Sequence, residues 1–97
     1  MDDATRGKLQ IYAVENVDSA SATCVVRCVG GIVRAGQQFT DESAAGSPSE
    51  RARMSLDWIE RYGRRVEFID PPNNGRVQLT GDGVTSLVKG AVINAVE

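Results

Sequence analysis

A chain of 97 residues and 10.4 kDa, 41% hydrophobic and 25% charged, has room for a single domain with one core, and its apolar share argues against a disordered segment. It holds no histidine, which removes the commonest general base and the commonest metal ligand. A net charge of −2 with a pI near 5.1 argues against a generic nucleic-acid coat, and no apolar run approaches the about 18–20 residues of a membrane-spanning helix.

The opening Met1-Asp2-Asp3-Ala4-Thr5-Arg6 has neither a basic nor an apolar signal region. Residues 1–6 are therefore expected to form a flexible N-terminus, and the location is expected to be cytoplasmic. Lys8 to Glu15 alternates like a half-buried strand, with Leu9, Ile11 and Ala13 on one face. After a polar turn over 16–21, Thr23 to Val29 is β-branched and apolar, a second strand carrying Cys24, Val26 and Cys28 on one face. Thiols four residues apart in a strand lie about 13 Å apart, too far for a disulfide. Cys24 and Cys28 are read as small core side chains. Gly30-Gly31 breaks the strand, and Gly36 to Thr40 is a turn entering a short third strand.

Residues 41–49 form a small-residue loop that ends in a helix-start pattern: Ser47 as cap, Pro48 in the first turn, Glu50 three after the serine. Met54, Trp58, Ile59 and Tyr62 then recur at helical spacing, and Gly63 suits a left-handed C-cap. Arg53–Asp57, Asp57–Arg61 and Glu60–Arg64 are opposite-charge pairs four apart, worth about 0.3 kcal/mol each in a helix. The spacing predicts an α-helix over 48–62, within a loop-plus-helix insertion over 41–63. The competing pattern is an alternating strand over 54–58; capping at both ends favours the helix.

Arg65 to Ile69 is a strand, and Asp70-Pro71-Pro72-Asn73-Asn74-Gly75 is a strong turn sequence. Arg76 to Thr80 alternates with Val77 and Leu79 inward, Gly81-Asp82-Gly83 turns again, Val84 to Lys89 is ambiguous, and Gly90 to Val96 closes as a strand. About six short strands punctuated by glycine turns predict a mainly β fold, a small antiparallel Greek-key-like barrel in one domain over 1–97.

Three segments in order carry a family resemblance. Val29-Gly30-Gly31-Ile32-Val33-Arg34-Ala35-Gly36-Gln37-Gln38-Phe39, Asn74-Gly75-Arg76-Val77-Gln78-Leu79-Thr80-Gly81 and Val88-Lys89-Gly90-Ala91-Val92-Ile93 resemble, respectively, an early stretch, a later strand and the closing segment of one barrel. That barrel is the second domain of translational GTPases of the elongation factor Tu type. Leu9 to Glu15 is compatible with its first strand. The resemblance implies a barrel working without its GTPase domain and a surface touching tRNA or ribosomal RNA. No Gly-x-x-x-x-Gly-Lys-Ser/Thr run is present, so no GTP binding by this chain is expected. None of the family's RNA-contact positions is carried over onto a residue of this chain.

Arg51, Arg53, Arg61, Arg64 and Arg65 are the candidate nucleic-acid-binding residues, their guanidinium forks suited to backbone phosphates; the competing reading is a solvated helix face laced with Glu50, Asp57, Glu60 and Glu67. Trp58, Tyr62 and Phe68 are either a stacking platform for bases or, more ordinarily, the ring set that docks the helix on the barrel. Asp2, Asp3, Asp41, Glu42, Asp70 and Asp82 are scattered over termini and turns, and no catalytic group, metal-ligand set or cofactor site emerges. The expectation is a monomeric, non-enzymatic binding module on tRNA or the ribosome. The alternative is a protein-interaction or regulatory module whose contact is the inserted helix.

Overall fold

The structure is a computed structural model that describes residues 6–44, 46–47 and 50–96. Its strands are β1 (Lys8–Val17), β2 (Ser21–Gly30), β3 (Val33–Arg34), β4 (Gln38–Asp41), β5 (Met54–Arg61), β6 (Arg64–Val66), β7 (Phe68–Ile69), β8 (Asn74–Gly81) and β9 (Val92–Val96). All pairings are antiparallel. Neighbours run β4-β9-β1-β2-β8-β5, and β4 pairs with β5, so six strands close into a barrel; β6 extends β5 as a hairpin outside the ring. The expected mainly β barrel is therefore present. β3 and β7 form a separate ribbon that sends Val33 and Ile69 into the core.

Inward positions are aliphatic: Leu9, Ile11, Val26, Leu56, Val77 and Leu79 are all fully buried, and Phe39 is the one aromatic side chain among them. Cys24 and Cys28 are buried free thiols, as expected of small core residues. Burial pushes the Cys24 thiol up to about 11 and raises Cys28 as well. Both stay protonated and unreactive at neutral pH.

Where a helix was expected over 48–62, residues Met54–Arg61 form the strand β5, and within the expected 41–63 insertion that strand is a stave of the barrel. Among the described residues no α-helix occurs. The helical spacing arises from a β-bulge. Leu56 faces Leu79 and Trp58 faces Gln78, so the register slips at Asp57. Met54 and Leu56 point inward with period two, the bulge shifts the phase by one residue, and Ile59 is the next buried position. Trp58 and Tyr62, which completed the apparent helical stripe, lie outside the core. The supposed capping box does form one turn: Ser47 N–H donates to Glu50 Oε1 at 2.9 Å and Glu50 N–H to Ser47 O at 2.8 Å. Pro48 and Ser49 lie outside the described residues, and from Met54 the chain is extended. Gly63 is no helix cap. Tyr62 (φ 54°) and Gly63 (φ 76°) are both left-handed, the pattern a two-residue type I′ hairpin requires. In place of the charge pairs expected four apart are cross-strand contacts, Asp57 accepting from the Thr80 hydroxyl and Glu60 accepting from the Arg76 guanidinium.

Smaller departures have similar causes. A bulge at Tyr12 moves β1 out of phase, so Val14 rather than Ala13 packs against the core. The expected strand over 65–69 breaks at Glu67 into β6 and β7, each with its own partner. Asn74-Gly75 is not a turn but the start of β8, with Gly75 opposite Val26. The ambiguous stretch contains a 3-10 turn at Asp82–Ser86, and the last strand begins at Val92. Of the flexible N-terminus expected over 1–6, residues 1–5 lie outside the described residues.

Gly81 joins β8 to the 3-10 turn at φ 142°, a glycine-only region, and a Cβ there would collide with Arg53 O and sit 3.2 Å from Met54 Cα. Gly36 is also left-handed, at φ 95°, but has nothing within 4 Å. Urea unfolding is expected to show Gly81→Ala losing about 3 kcal/mol or more, through strain plus overlap. Gly36→Ala should lose about 1–2 kcal/mol, from backbone strain alone. Equal losses would contradict this placement of β5 against β8.

Candidate nucleic-acid interface

β5 and β8 meet through an exposed face as well as a buried one. On the exposed face Arg76 donates to Glu15 at 2.6 and 3.2 Å and to Glu60 at 3.0 Å. Arg76 holds the Glu15 carboxyl below its usual range, and the two carboxylates raise Arg76 further. This arginine, close in sequence to the predicted cluster, is thus neutralised within the protein.

The next arginines along the sheet are not. Arg61, the last residue of β5, donates through Nε to Asn74 O at 3.0 Å and through Nη2 to Asn73 Oδ1 at 3.3 Å, while its guanidinium sits 5.2 Å from the Tyr62 ring centre. Arg65 on β6 lies 4.1 Å over Trp58, whose indole N–H donates to Gln78 Oε1 at 3.0 Å. Arg64, between them, is exposed. Arg34 on β3 stands 5.9 Å over Phe68 of its partner strand β7. Arg27 on β2 lies 5.9 Å over Tyr12, donates through Nη1 to that ring's hydroxyl at 3.1 Å, and through Nε to Pro72 O at 3.0 Å. Arg27 and Arg61 therefore grip the same 72–74 segment from two sides.

Guanidinium–ring pairs distinguish this surface. Four of the chain's five aromatic residues lie outside the core, and each carries a guanidinium over its ring. Among the described residues, none of Arg27, Arg34, Arg61, Arg64 and Arg65 is in a salt bridge, as is true of Arg51 and Arg53, and the hydrogen bonds of Arg27 and Arg61 run to neutral oxygens. Glu67 and Asp70 line with Arg61, Arg65 and Phe68 a depression of about 540 Å³, and Glu60, which accepts from Arg76, stands opposite Arg65. The result is a cationic, ring-bearing surface on an acidic protein. It can hold phosphates through guanidinium edges and bases through ring faces.

The predicted five arginines do not come together in one patch. Arg61, Arg64 and Arg65 cluster at the β5–β6 hairpin, whereas Arg51 and Arg53 precede the other end of β5. Eight residues of strand put about 25 Å between Arg53 and Arg61. Arg51 donates to Gly46 O at 3.2 Å and lines a depression of about 190 Å³ with Arg6, Lys8, Thr40 and Glu42, while Arg53 donates to Gln38 Oε1 at 3.1 Å. Trp58 docks no helix; it shares the exposed face with Arg65. Arg27, Arg34 and Tyr12 were not flagged by the sequence, because nothing local marks them: their partners stand 15 to 45 positions away. No His/Cys/Asp/Glu group suited to a metal ion occurs among the described residues. No helix there is long and apolar enough to cross a membrane.

The chain matches no protein-family model, and a search of curated proteins finds no match. Among solved structures it is similar to translation elongation factor SelB from Methanococcus maripaludis in its apo form, with a TM-score of 0.73 at 12% identity over 92% of this chain. The chain spans 18% of that protein's length. The likeness is one of fold: a translation-factor β-barrel, as the three glycine-punctuated segments implied.

The Glu15–Arg76 pair gives a pH dependence of definite sign. Glu15 titrates below its ordinary 4.5 in the folded protein, so its stabilising contribution is present above that value and is lost as pH falls through the lower folded one. Unfolding curves between neutral and acid pH are expected to show a shallower acid-side loss of stability in Arg76→Ala than in wild type. An unchanged slope would mean that the pair does not form in solution.

Proposed function

We propose that this chain is a non-enzymatic RNA-binding barrel of the translation apparatus, contacting tRNA or ribosomal RNA through Arg61, Arg64 and Arg65 together with Arg27 and Arg34. The observation that carries the reading is a set of four arginines, Arg27, Arg34, Arg61 and Arg65, each held over an aromatic ring and none in a salt bridge, on a chain of net charge −2. Arg76, by contrast, is taken up by two carboxylates of the chain itself. Guanidinium edges free of internal acids suit phosphate oxygens, and rings beside them suit bases.

Similarity in fold to a translation elongation factor supports the translational setting and, with it, a cytoplasmic location. Pairing of β4 with β5 closes the ring, which supports a monomer. The competing reading, a protein-interaction or regulatory module that makes its contact through an inserted helix, loses that helix, because Met54–Arg61 form the strand β5.

Fluorescence anisotropy against tRNA at several salt concentrations tests this. The triple variant Arg61→Glu/Arg64→Glu/Arg65→Glu is expected to lose at least about tenfold in affinity and to flatten the log–log salt slope by about 2, at about 0.7–0.9 per phosphate contact. The double variant Arg51→Glu/Arg53→Glu, at the far end of β5, should bind within about twofold of wild type. Unchanged affinity in the triple variant contradicts the proposal.

A further inference from the structure

Tyr62 occupies a position that stability alone would give to another residue. It is the first of the two turn residues between β5 and β6, at φ 54°, the one non-glycine residue with positive φ among those described. A type I′ turn favours Asn, Asp or Gly there, since a Cβ is strained in the left-handed region and short polar side chains bear it best. Tyr62 is also 92% exposed, so its ring contributes almost nothing to the core. A bulky aromatic both strained and bare is disfavoured twice over by folding, and an outlier of this kind points to a contact made elsewhere.

The surroundings indicate what that contact is. Arg61 sits 5.2 Å from the ring centre and is itself pinned by Asn73 and Asn74, so guanidinium and ring are held as a preset pair. Beside them is an open depression of about 280 Å³ floored by Gly75, where a Cβ would come within 2.9 Å of Glu60 O and 3.1 Å of Arg61 Cγ. Asn74 lines the same depression and brings a polar edge to it, as do Arg76 and its partner Glu60. The ring stands at the tip of a hairpin, away from the sheet surface.

From this we infer that Tyr62 is a stacking residue for an unpaired RNA base, with the depression beside it receiving that base, so that the interface selects single-stranded or looped RNA over duplex. The inference rests on the RNA-binding reading above. In a duplex both faces of each base are occupied by neighbours, and only an unpaired base can offer a face to a protruding ring. The arginines alone would grip either form through phosphates; Tyr62 supplies the discrimination.

The experiment measures binding of a short mixed-sequence single-stranded RNA, and of the duplex it forms with its complement, to wild type, Tyr62→Asn, Tyr62→Trp and the triple arginine variant, with a thermal melt of each. Tyr62→Asn is expected to melt a few degrees higher, because Asn fits the turn. It should also bind the single strand about tenfold or more weakly with duplex binding unchanged. Tyr62→Trp should keep single-strand affinity. Single-strand binding by Tyr62→Asn equal to wild type, while the arginine variant loses it, overturns the stacking role and leaves the RNA reading standing. Wild type binding neither probe, or the arginine variant binding both as wild type does, overturns the RNA reading itself.

Discussion

Everything in this molecule depends on β5 closing the barrel. Its contact with β4 is short: Gln38 opposite Ser55, Phe39 opposite Met54, with Leu56 N–H donating to Gln37 O at 2.9 Å and Gly36 N–H to Leu56 O at 2.7 Å. Without those few bonds the sheet would end in two exposed strand edges and the aliphatic core would open along one side. A strand that must meet β4 at one end and β8 along its length has to change direction. The bulge at Asp57 provides the bend, because the extra residue raises the local twist. The same bulge turns Trp58 and Glu60 outward, where they meet Arg65 and Arg76.

Closure and surface chemistry are thereby linked. Once β5 is in the ring, its hairpin with β6 projects beyond the barrel and carries Arg61, Tyr62, Arg64 and Arg65 with it. The 72–74 segment that enters β8 runs past the same place, and its carbonyls and Asn73 fix Arg61 and Arg27 there. Acidic groups are handled differently on the two parts of the sheet. Glu15 and Glu60 are taken up by Arg76, whereas the arginines nearer the hairpin meet rings and neutral oxygens. A weakly acidic chain thus presents a cationic region without a basic composition.

The barrel was legible wherever strands kept period two. Leu9 and Ile11, then Cys24, Val26 and Cys28, and Val77 and Leu79 all point inward as their alternation implied, and the ordered glycine segments pointed to the right fold. Reading failed where the backbone departs from period two. One inserted residue at Asp57 converted a strand's rhythm into an apparent helical stripe, and Ser47 with Glu50 supplied a turn that mimics a helix start. Gly63 fits a helix end or a type I′ turn equally well in sequence, since both need a left-handed residue. The arginines at the hairpin were found because they adjoin in sequence; Arg27 and Arg34 reach the same surface through strand pairing, which no local pattern records.

Backbone amide chemical-shift mapping with single-stranded RNA tests the central claim most directly, because it asks where RNA touches without presuming any side chain. The account predicts saturable shifts confined to residues near 12, 27, 34, 61–68 and 73–76, with those around 51–53 undisturbed. Shifts centred instead on 51–53 and the Lys8–Glu42 side, or no shifts at all, would contradict it.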